Sequence, residues 1–458
     1  MIPEKMWKNI LPIVVIGLVI LSAQVRIRIP HAGGITTHSN LFVSELLVLG
    51  IGFYAVFINL VVRKKIKSSD NVAKCILLFL GIFCVYFFLS MMIRILTGGS
   101  LAGSVYLPRI IIEAAIIFLS LKSLDIEAMS AFKGLIVAGL GASILQLFVL
   151  FRGSGVIRGS AVFGNSNVYV LYMLMLVPIL VYMAMRLDKW WKVVNLFSLV
   201  LQVPIFLLSG SRIGFTLLVI LSIVSFWLYY PNKAVKRRMV VVGSILLYSL
   251  LVTVFFLNFG NSMIRNNTTR SIAIPNNVLY RVTAGQVNAL DIVRFTELSQ
   301  GLVDEGECME EAIDISEKTE EEFARYTAEL SNIYRADWNR NAMDLIVRSP
   351  ATIIFGSGVA VAQTYVHGYQ SPHNFLLQYL LPFGIIGTLI CFIILFAPLI
   401  ATLRVKKYRK SLIILPYATV LLVSWNQPLL GNMIICFALM IFSYAVYTLE
   451  RNEIKEDI

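Results

Sequence analysis

Apolar residues in this chain come in long blocks rather than in the short alternation of a strand or the single stripe of a surface helix. The blocks run at about 8–24, 41–62, 73–93, 105–121, 131–151, 167–185, 191–209, 213–230, 239–258, 374–402, 411–426 and 429–448. Most are near the ~20 residues a helix needs to cross ~30 Å of hydrocarbon. The pattern predicts an all-α polytopic transmembrane protein of about twelve spans. Residues 1–258 hold spans one to nine, 259–371 form one large helical loop, and 372–458 hold spans ten to twelve and a tail. The first block follows Lys5 and Lys8 as a secretory leader does, but no small-residue cleavage site follows, so it reads as an uncleaved span. The block at 374–402 is long and contains Pro398, which predicts a tilt, or a kink near its inner end.

The polar positions set the orientation. The connections after spans two, four, six, eight and ten hold Arg63-Lys64-Lys65-Lys67, Lys122, Arg186/Lys189/Lys192, Lys233-Lys236-Arg237-Arg238 and Arg404-Lys406-Lys407-Arg409-Lys410. With both ends on that side, it collects 23 of the 39 Lys and Arg, and the short connections opposite keep only seven. Cytoplasmic loops carry such an excess, so both termini are expected in the cytoplasm and the large loop outside. His31, His38, His367 and His373 then all lie outside.

Composition sharpens this reading. The chain is 58% hydrophobic and 14% charged, where a soluble domain is nearer half and a quarter. A formal charge of +13 raises nucleic acid as a partner, but the cations sit in clusters beside apolar blocks, so the expected partner is the lipid bilayer. Cys75, Cys84, Cys308, Cys391 and Cys436 form no CxxC pair and read as small buried hydrophobes. No Walker or Rossmann glycine pattern and no metal-ligand spacing appears, so no cofactor and no metal are expected. There is no internal repeat.

The loop holds 15 acidic and 9 basic residues. Phe323, Tyr326, Leu330 and Ile333 recur at helical spacing within 309–334, with Glu310, Glu311, Glu320, Glu321 and Glu322 as a solvated face or, less simply, a cation site. A second helix is expected from Trp338 to Val347, ending near Ser349-Pro350. The loop reads as a lid on the membrane domain.

Charged groups at the rims of apolar blocks are costly and need a partner or a purpose. Arg212 sits in the tight turn Ser209-Gly210-Ser211-Arg212, where a planar guanidinium can grip phosphate through two bonds, or simply snorkel to the interface. Arg158 precedes Phe163-Gly164-Asn165-Ser166-Asn167, in which Asn165 or Ser166 suits a helix N-cap. His373, with Asn374, stands where the loop re-enters the membrane, placing a proton acceptor there, or a structural interfacial histidine. Arg335, Trp338, Arg340 and Arg348 lead to Phe355-Gly356-Ser357-Gly358 and could face an anion or balance the acidic helix before them. Glu113 is the one acid deep in an apolar block, and suits either proton coupling or a hydrogen-bonded structural role.

In order, these segments resemble the bacterial O-antigen polymerase/ligase superfamily, the Wzy and WaaL type. The family's closing signature is matched by His373-Asn374, Leu377, Leu380, Gly384 and Gly387. Arg335, Trp338, Pro350 and the Phe355–Gly358 turn match what precedes it. Gly210-Ser211-Arg212 matches a "GSR" turn, and Arg158 with Phe163–Asn167 matches an arginine followed by Phe-x-Asn-Pro-Asn. Pro382 replaces a frequent Glu, and Ser166 replaces the usual Pro.

The resemblance implies a GT-C-like, metal-independent glycosyltransferase in the bacterial inner membrane. It would polymerise undecaprenyl-pyrophosphate-linked repeat units into O-antigen, capsule or a related polysaccharide on the outer face, with a chain-length regulator as a protein partner. Arg212, Arg158 and His373 would be catalytic. Arg335, Arg340, Asn374, Ser211 and Asn167 would bind pyrophosphate or glycan. An O-antigen ligase shares these motifs. A transporter or flippase is the rival from another class, and should show repeated halves and interrupted spans. Arg158, Arg212 and His373 are expected to meet in one basic pocket.

Overall fold

The computed structural model describes residues 4–23, 25–29, 39–57, 71–96, 106–151, 163, 166–186, 189–229, 235–260, 262–272, 339–357, 374–402, 410–425 and 432–456. Among these, each of the predicted apolar blocks falls on a helix. In chain order they are α1 (Glu4–Leu21), α2 (Val43–Phe57), α3 (Asn71–Leu96), α4 (Tyr106–Ser123), α5 (Ala128–Phe151), α6 (Ser166–Arg186), α7 (Lys189–Leu208), α8 (Arg212–Tyr229) and α9 (Val235–Phe259). Three shorter helices belong to the two described ends of the large loop: α10 (Ser262–Ser271), α11 (339–346) and α12 (Pro350–Phe355). The last three are α13 (Phe375–Thr402), α14 (Lys410–Trp425) and α15 (Met433–Glu456). Six helices are long and apolar enough to cross a membrane (α3, α5, α6, α7, α9 and α13), and five further apolar helices are shorter. The protein is a multi-pass helical membrane protein.

The all-α class holds with one small addition: β1 (Arg26–Ile29) pairs antiparallel with β2 (Ser39–Phe42), Arg26 opposite Phe42, between α1 and α2. The period-two run Arg-Ile-Arg-Ile carries that signal, but four residues are easily lost beside apolar blocks five times as long. The kink in α13 lies at Gly384 (φ 58, ψ −168) rather than near Pro398. And Ser349-Pro350 does not merely end a helix. Ser349 accepts the Thr352 amide in a capping box, with proline in the first turn, and so starts α12.

Burial ranks the helices. In α6, 94% of the apolar stretch is buried, against 11% in α3 and 17% in α9. α6 packs on α5, α7, α8, α14 and α15 and forms the axis of the molecule. α3 and α9 turn Leu78, Phe88, Leu250 and Phe255 outward, as lipid-facing helices do. Between apolar helices in lipid, association depends on close packing and interhelical hydrogen bonds. Both operate around α5. A Cβ on Gly134 would lie 2.7 Å from Ile16 of α1, and one on Gly139 2.6 Å from Leu176 of α6. Tyr172 donates to Leu135 O at 2.7 Å, and the Ser143 and Tyr169 hydroxyls are 2.9 Å apart.

Gly134→Val forces α1 away from α5 and is expected to cost about 1–3 kcal/mol, read as a lower Tm of the purified full chain. Gly81→Ala, where a Cβ meets nothing within 4 Å, should leave Tm unchanged or slightly higher.

Candidate functional site

The contacts between helices show which ends lie together. α6 and α8 run parallel, with Val170 against Gly214 near their starts and the Tyr182 and Tyr229 rings 5.8 Å apart near their ends. α5 runs antiparallel to α6, so the start of α5 is level with the end of α6. There Phe132 of α5 faces Phe442 of α15 at 6.1 Å, and Tyr417 of α14 bonds the neighbouring Ser443. Trp425, two turns beyond Tyr417, therefore lies toward the start of α6, and it meets Phe375 at the start of α13 at 6.1 Å. The first turns of α6, α8 and α13 thus open at one end of the bundle, the end from which the large loop leaves.

The turn from α7 to α8 is built by serines and a glycine. Gly210 takes φ 63, a value that glycine adopts at little cost. Ser209 Oγ donates to Phe206 O at 2.7 Å and accepts from the Ser211 amide at 3.3 Å. Ser211 Oγ accepts from the Gly214 amide at 3.2 Å and caps α8. A Cβ at Gly214 would lie 2.5 Å from Val170, so glycine there lets α8 touch α6 one turn below Ser166 and Asn167. Arg212 opens α8 at this contact. Its guanidinium, like the whole of Arg158, lies outside the described atoms. After α9 the chain turns back as α10, and Ser271 Oγ lies 3.2 Å and 3.0 Å from the carbonyls of Phe206 and Leu207, which at the tight last turn of α7 also accept from the Ser209 and Gly210 amides.

The other end of the loop is fastened to α13. Ala342 and Ile346 of α11 pack on Leu377 and Leu381. Asn374 Oδ1 accepts from the Leu376 amide at 2.9 Å and the Leu377 amide at 3.3 Å, so this residue caps α13. Gly356 (φ 80) and Gly384 (φ 58) then cross backbone to backbone: a Cβ on Gly356 would lie 2.4 Å from Pro382 O, and one on Gly384 2.4 Å from Gly356 N. The two glycine signatures that stand apart in the sequence are the two halves of this crossing. Ser357 donates to Leu381 O through both its amide and its hydroxyl, each at 2.9 Å. Tyr86 of α3 reaches the same place, its hydroxyl 2.8 Å from Phe355 O and 2.7 Å from Phe383 O.

Of the site residues expected from sequence, the structure brings Ser211, the start of α8 at Arg212, Asn167 and Asn374 to one end of the bundle. Arg340 stands exposed on α11. Arg158, Arg335 and His373 lie outside the described residues. Ser211 and Asn374 both commit their side-chain oxygens to helix caps.

Sequence reasoning missed two features. One is Tyr86, a tyrosine in an apolar block with no motif around it. The other is the pair Glu45–Arg109, 2.6 Å apart, on α2 and α4. Glu45 is fully buried, accepts from the Phe42 amide at 2.9 Å, and its partner guanidinium lies 5.9 Å over the Phe42 ring. Glu113 sits one turn along α4 from Arg109, within electrostatic reach of both. The sequence carries a signal for it: an Arg and a Glu four apart in an apolar block imply a third charge nearby.

Residues 197–393 match the family model described as O-antigen ligase. No curated protein matches the chain. The matched stretch opens inside α7 and closes in α13 just past the glycine crossing. It takes in the serine turn and both described ends of the loop, and leaves out the start of α6.

Gly384→Ala adds a Cβ in a left-handed backbone and against another backbone, at about 1–2 kcal/mol for the first and about 1–3 for the second. We expect a sharp loss of folded protein, read by size-exclusion chromatography in detergent.

Proposed function

We propose that this chain, whose residues 197–393 match the O-antigen ligase family model, is a member of the O-antigen polymerase and ligase superfamily and polymerises polyprenyl-pyrophosphate-linked oligosaccharide units into O-antigen or a related surface polysaccharide. The observation that carries this reading is the gathering of the starts of α6, α8 and α13 at one end of the bundle, each bearing one of the motif segments. Helix starts present partial positive charge, which suits an anionic carrier headgroup. The proposal takes the chain as twelve crossings in a GT-C-like arrangement with both ends in the cytoplasm, and so assigns that end to the outer face of the inner membrane, where a chain-length regulator could meet the growing glycan.

Transfer breaks the bond between the anomeric carbon and a phosphate oxygen and leaves negative charge on the pyrophosphate. Arg212, with Arg158 and Arg335, holds that charge as it develops. The acceptor hydroxyl attacks the anomeric carbon and passes its proton to His373. Asn167, Ser211, Arg340 and Asn374 line the approach. This assigns to the protein's own side chains the charge stabilisation that a metal ion supplies in other transferases.

The family description favours a second reading, an O-antigen ligase that moves a finished glycan to another acceptor. The interrupted helix α13 is also a trait of transporters. Here, however, its freed carbonyls are taken up by Ser357 and Tyr86 rather than left open to a cargo.

His373→Ala and Arg212→Ala, each in a strain lacking the wild-type gene, should abolish long surface glycan on a gel. The loss of a polymerase leaves single repeat units on the acceptor, and the loss of a ligase leaves it bare. Normal ladders at normal protein levels would overturn the assignment.

A further inference from the structure

Tyr86 is an oddity on α3. That helix lies at the periphery with most of its length toward lipid, yet here it reaches into the junction of two motif segments. The reason is the break in α13. A non-helical residue at Gly384 interrupts the ladder in which carbonyls of residues 380–383 would accept from the next turn. Backbone groups freed inside a membrane need partners from elsewhere in the protein. Leu381 O takes the Ser357 amide and hydroxyl, and Phe383 O takes Tyr86. The phenol carries one hydrogen, so it can donate fully to only one of its two carbonyls, Phe383 O and Phe355 O, at a time. Its ring also packs on Gly387, where an added Cβ would lie 2.7 Å from Cε1. One side chain therefore ties α3, the end of α12 and both sides of the break.

The break divides α13 into an outer piece, 375–383, and an inner piece. Continuous helix no longer fixes the direction of the outer piece; its packing on Phe392, Trp425 and α11 sets it coarsely, and the ties fix its angle at the break. At 1.5 Å per residue the outer piece is a lever of about 13 Å, so a swing of about 5° moves its tip by about 1 Å. Errors of that size in a reacting group cost on the order of 100-fold in rate. The tip carries Asn374, and the chain runs on from it to His373.

We infer that Tyr86 is a positioning residue for the transfer reaction: its hydroxyl holds the outer piece of α13 at the angle that chemistry requires. Its role in catalysis rests on the glycosyl-transfer reading; its role as a clamp does not. The Tyr86→Phe variant keeps the ring on Gly387 and removes only the hydroxyl. The full chain in nanodiscs is assayed with lipid-linked repeat units extracted from a strain lacking the gene. We expect kcat to fall roughly 10- to 100-fold with the donor KM within about twofold, the signature of misplacement rather than lost binding. Hydrogen exchange of the peptide 375–384 should quicken while that of α9 stays the same. Ser357→Ala should act in the same direction, and the double variant should be no worse than Tyr86→Phe, because both act on one clamp. Tyr248→Phe, which loses a similar bond to Val200 O between α9 and α7, should leave kcat unchanged.

Unchanged kcat in Tyr86→Phe overturns the positioning role, as does a loss of kcat without faster exchange at 375–384. If Tyr86→Phe fails to accumulate, the same two measurements on Ser357→Ala decide the matter, and unchanged kcat or unchanged exchange overturns the role there too. A wild-type protein that makes no product from these donors refutes the glycosyl-transfer reading, and the exchange measurement still decides the clamp.

Discussion

A backbone group inside a membrane has no water to fall back on, and the rest of this structure depends on how that requirement is met where helices stop. Along a regular helix it is met by the next turn. At the end of α7 it is met by tight-turn bonds from Ser209 and Gly210 with Ser271 added, and at the break in α13 side chains from remote segments supply the bonds. Ser271 comes from beyond α9 to reach Phe206 O and Leu207 O. Ser357 and Tyr86 converge on Leu381 O and Phe383 O. The same bonds that satisfy the backbone fasten both ends of the large loop to the membrane helices.

This links packing to function. Gly214 lets α8 close on α6, and Gly356 and Gly384 let α12 cross α13 without a side chain between them. These contacts bring motif segments from three parts of the chain to one end of the bundle. Because α6 is enclosed by its neighbours, the first turn of α6 has a fixed position against which α8 and α14 are set. Elements that are strained or broken therefore lie at the end that carries the motif segments, while the unbroken helices α3 and α9 face lipid.

Buried polar groups elsewhere follow a different logic. The Glu45–Arg109 pair sits where α2 and α4 begin, close to the Ser44–Met433 contact that joins α2 to α15. A charge pair there is held in place by its own complementarity, since either partner alone would be an uncompensated charge in a desolvated site. It locks the starts of these helices at the same level as the starts of α6, α8 and α13.

The sequence alone determined the helices and their order, because hydrocarbon thickness sets a length that a run of apolar residues must meet. It also marked the serine turn, because serine and glycine there are demanded by backbone geometry that is local; Gly384 and Asn374 stood out only through the family resemblance, Asn374 as a binding residue rather than as the helix cap it forms. It misplaced the kink in α13. Pro398 points to a break near the inner end, whereas the break lies at Gly384, beside Pro382 and against Gly356; Pro382-Phe383-Gly384 is a local signal for it, but the approach of Gly356, some thirty positions earlier, is not encoded locally. For the same reason it passed over Tyr86 and the partner of Arg109. Whether a tyrosine in an apolar block faces lipid or closes a clamp, and whether an arginine snorkels or meets a buried glutamate, depends on which helices become neighbours, and only tertiary packing decides that.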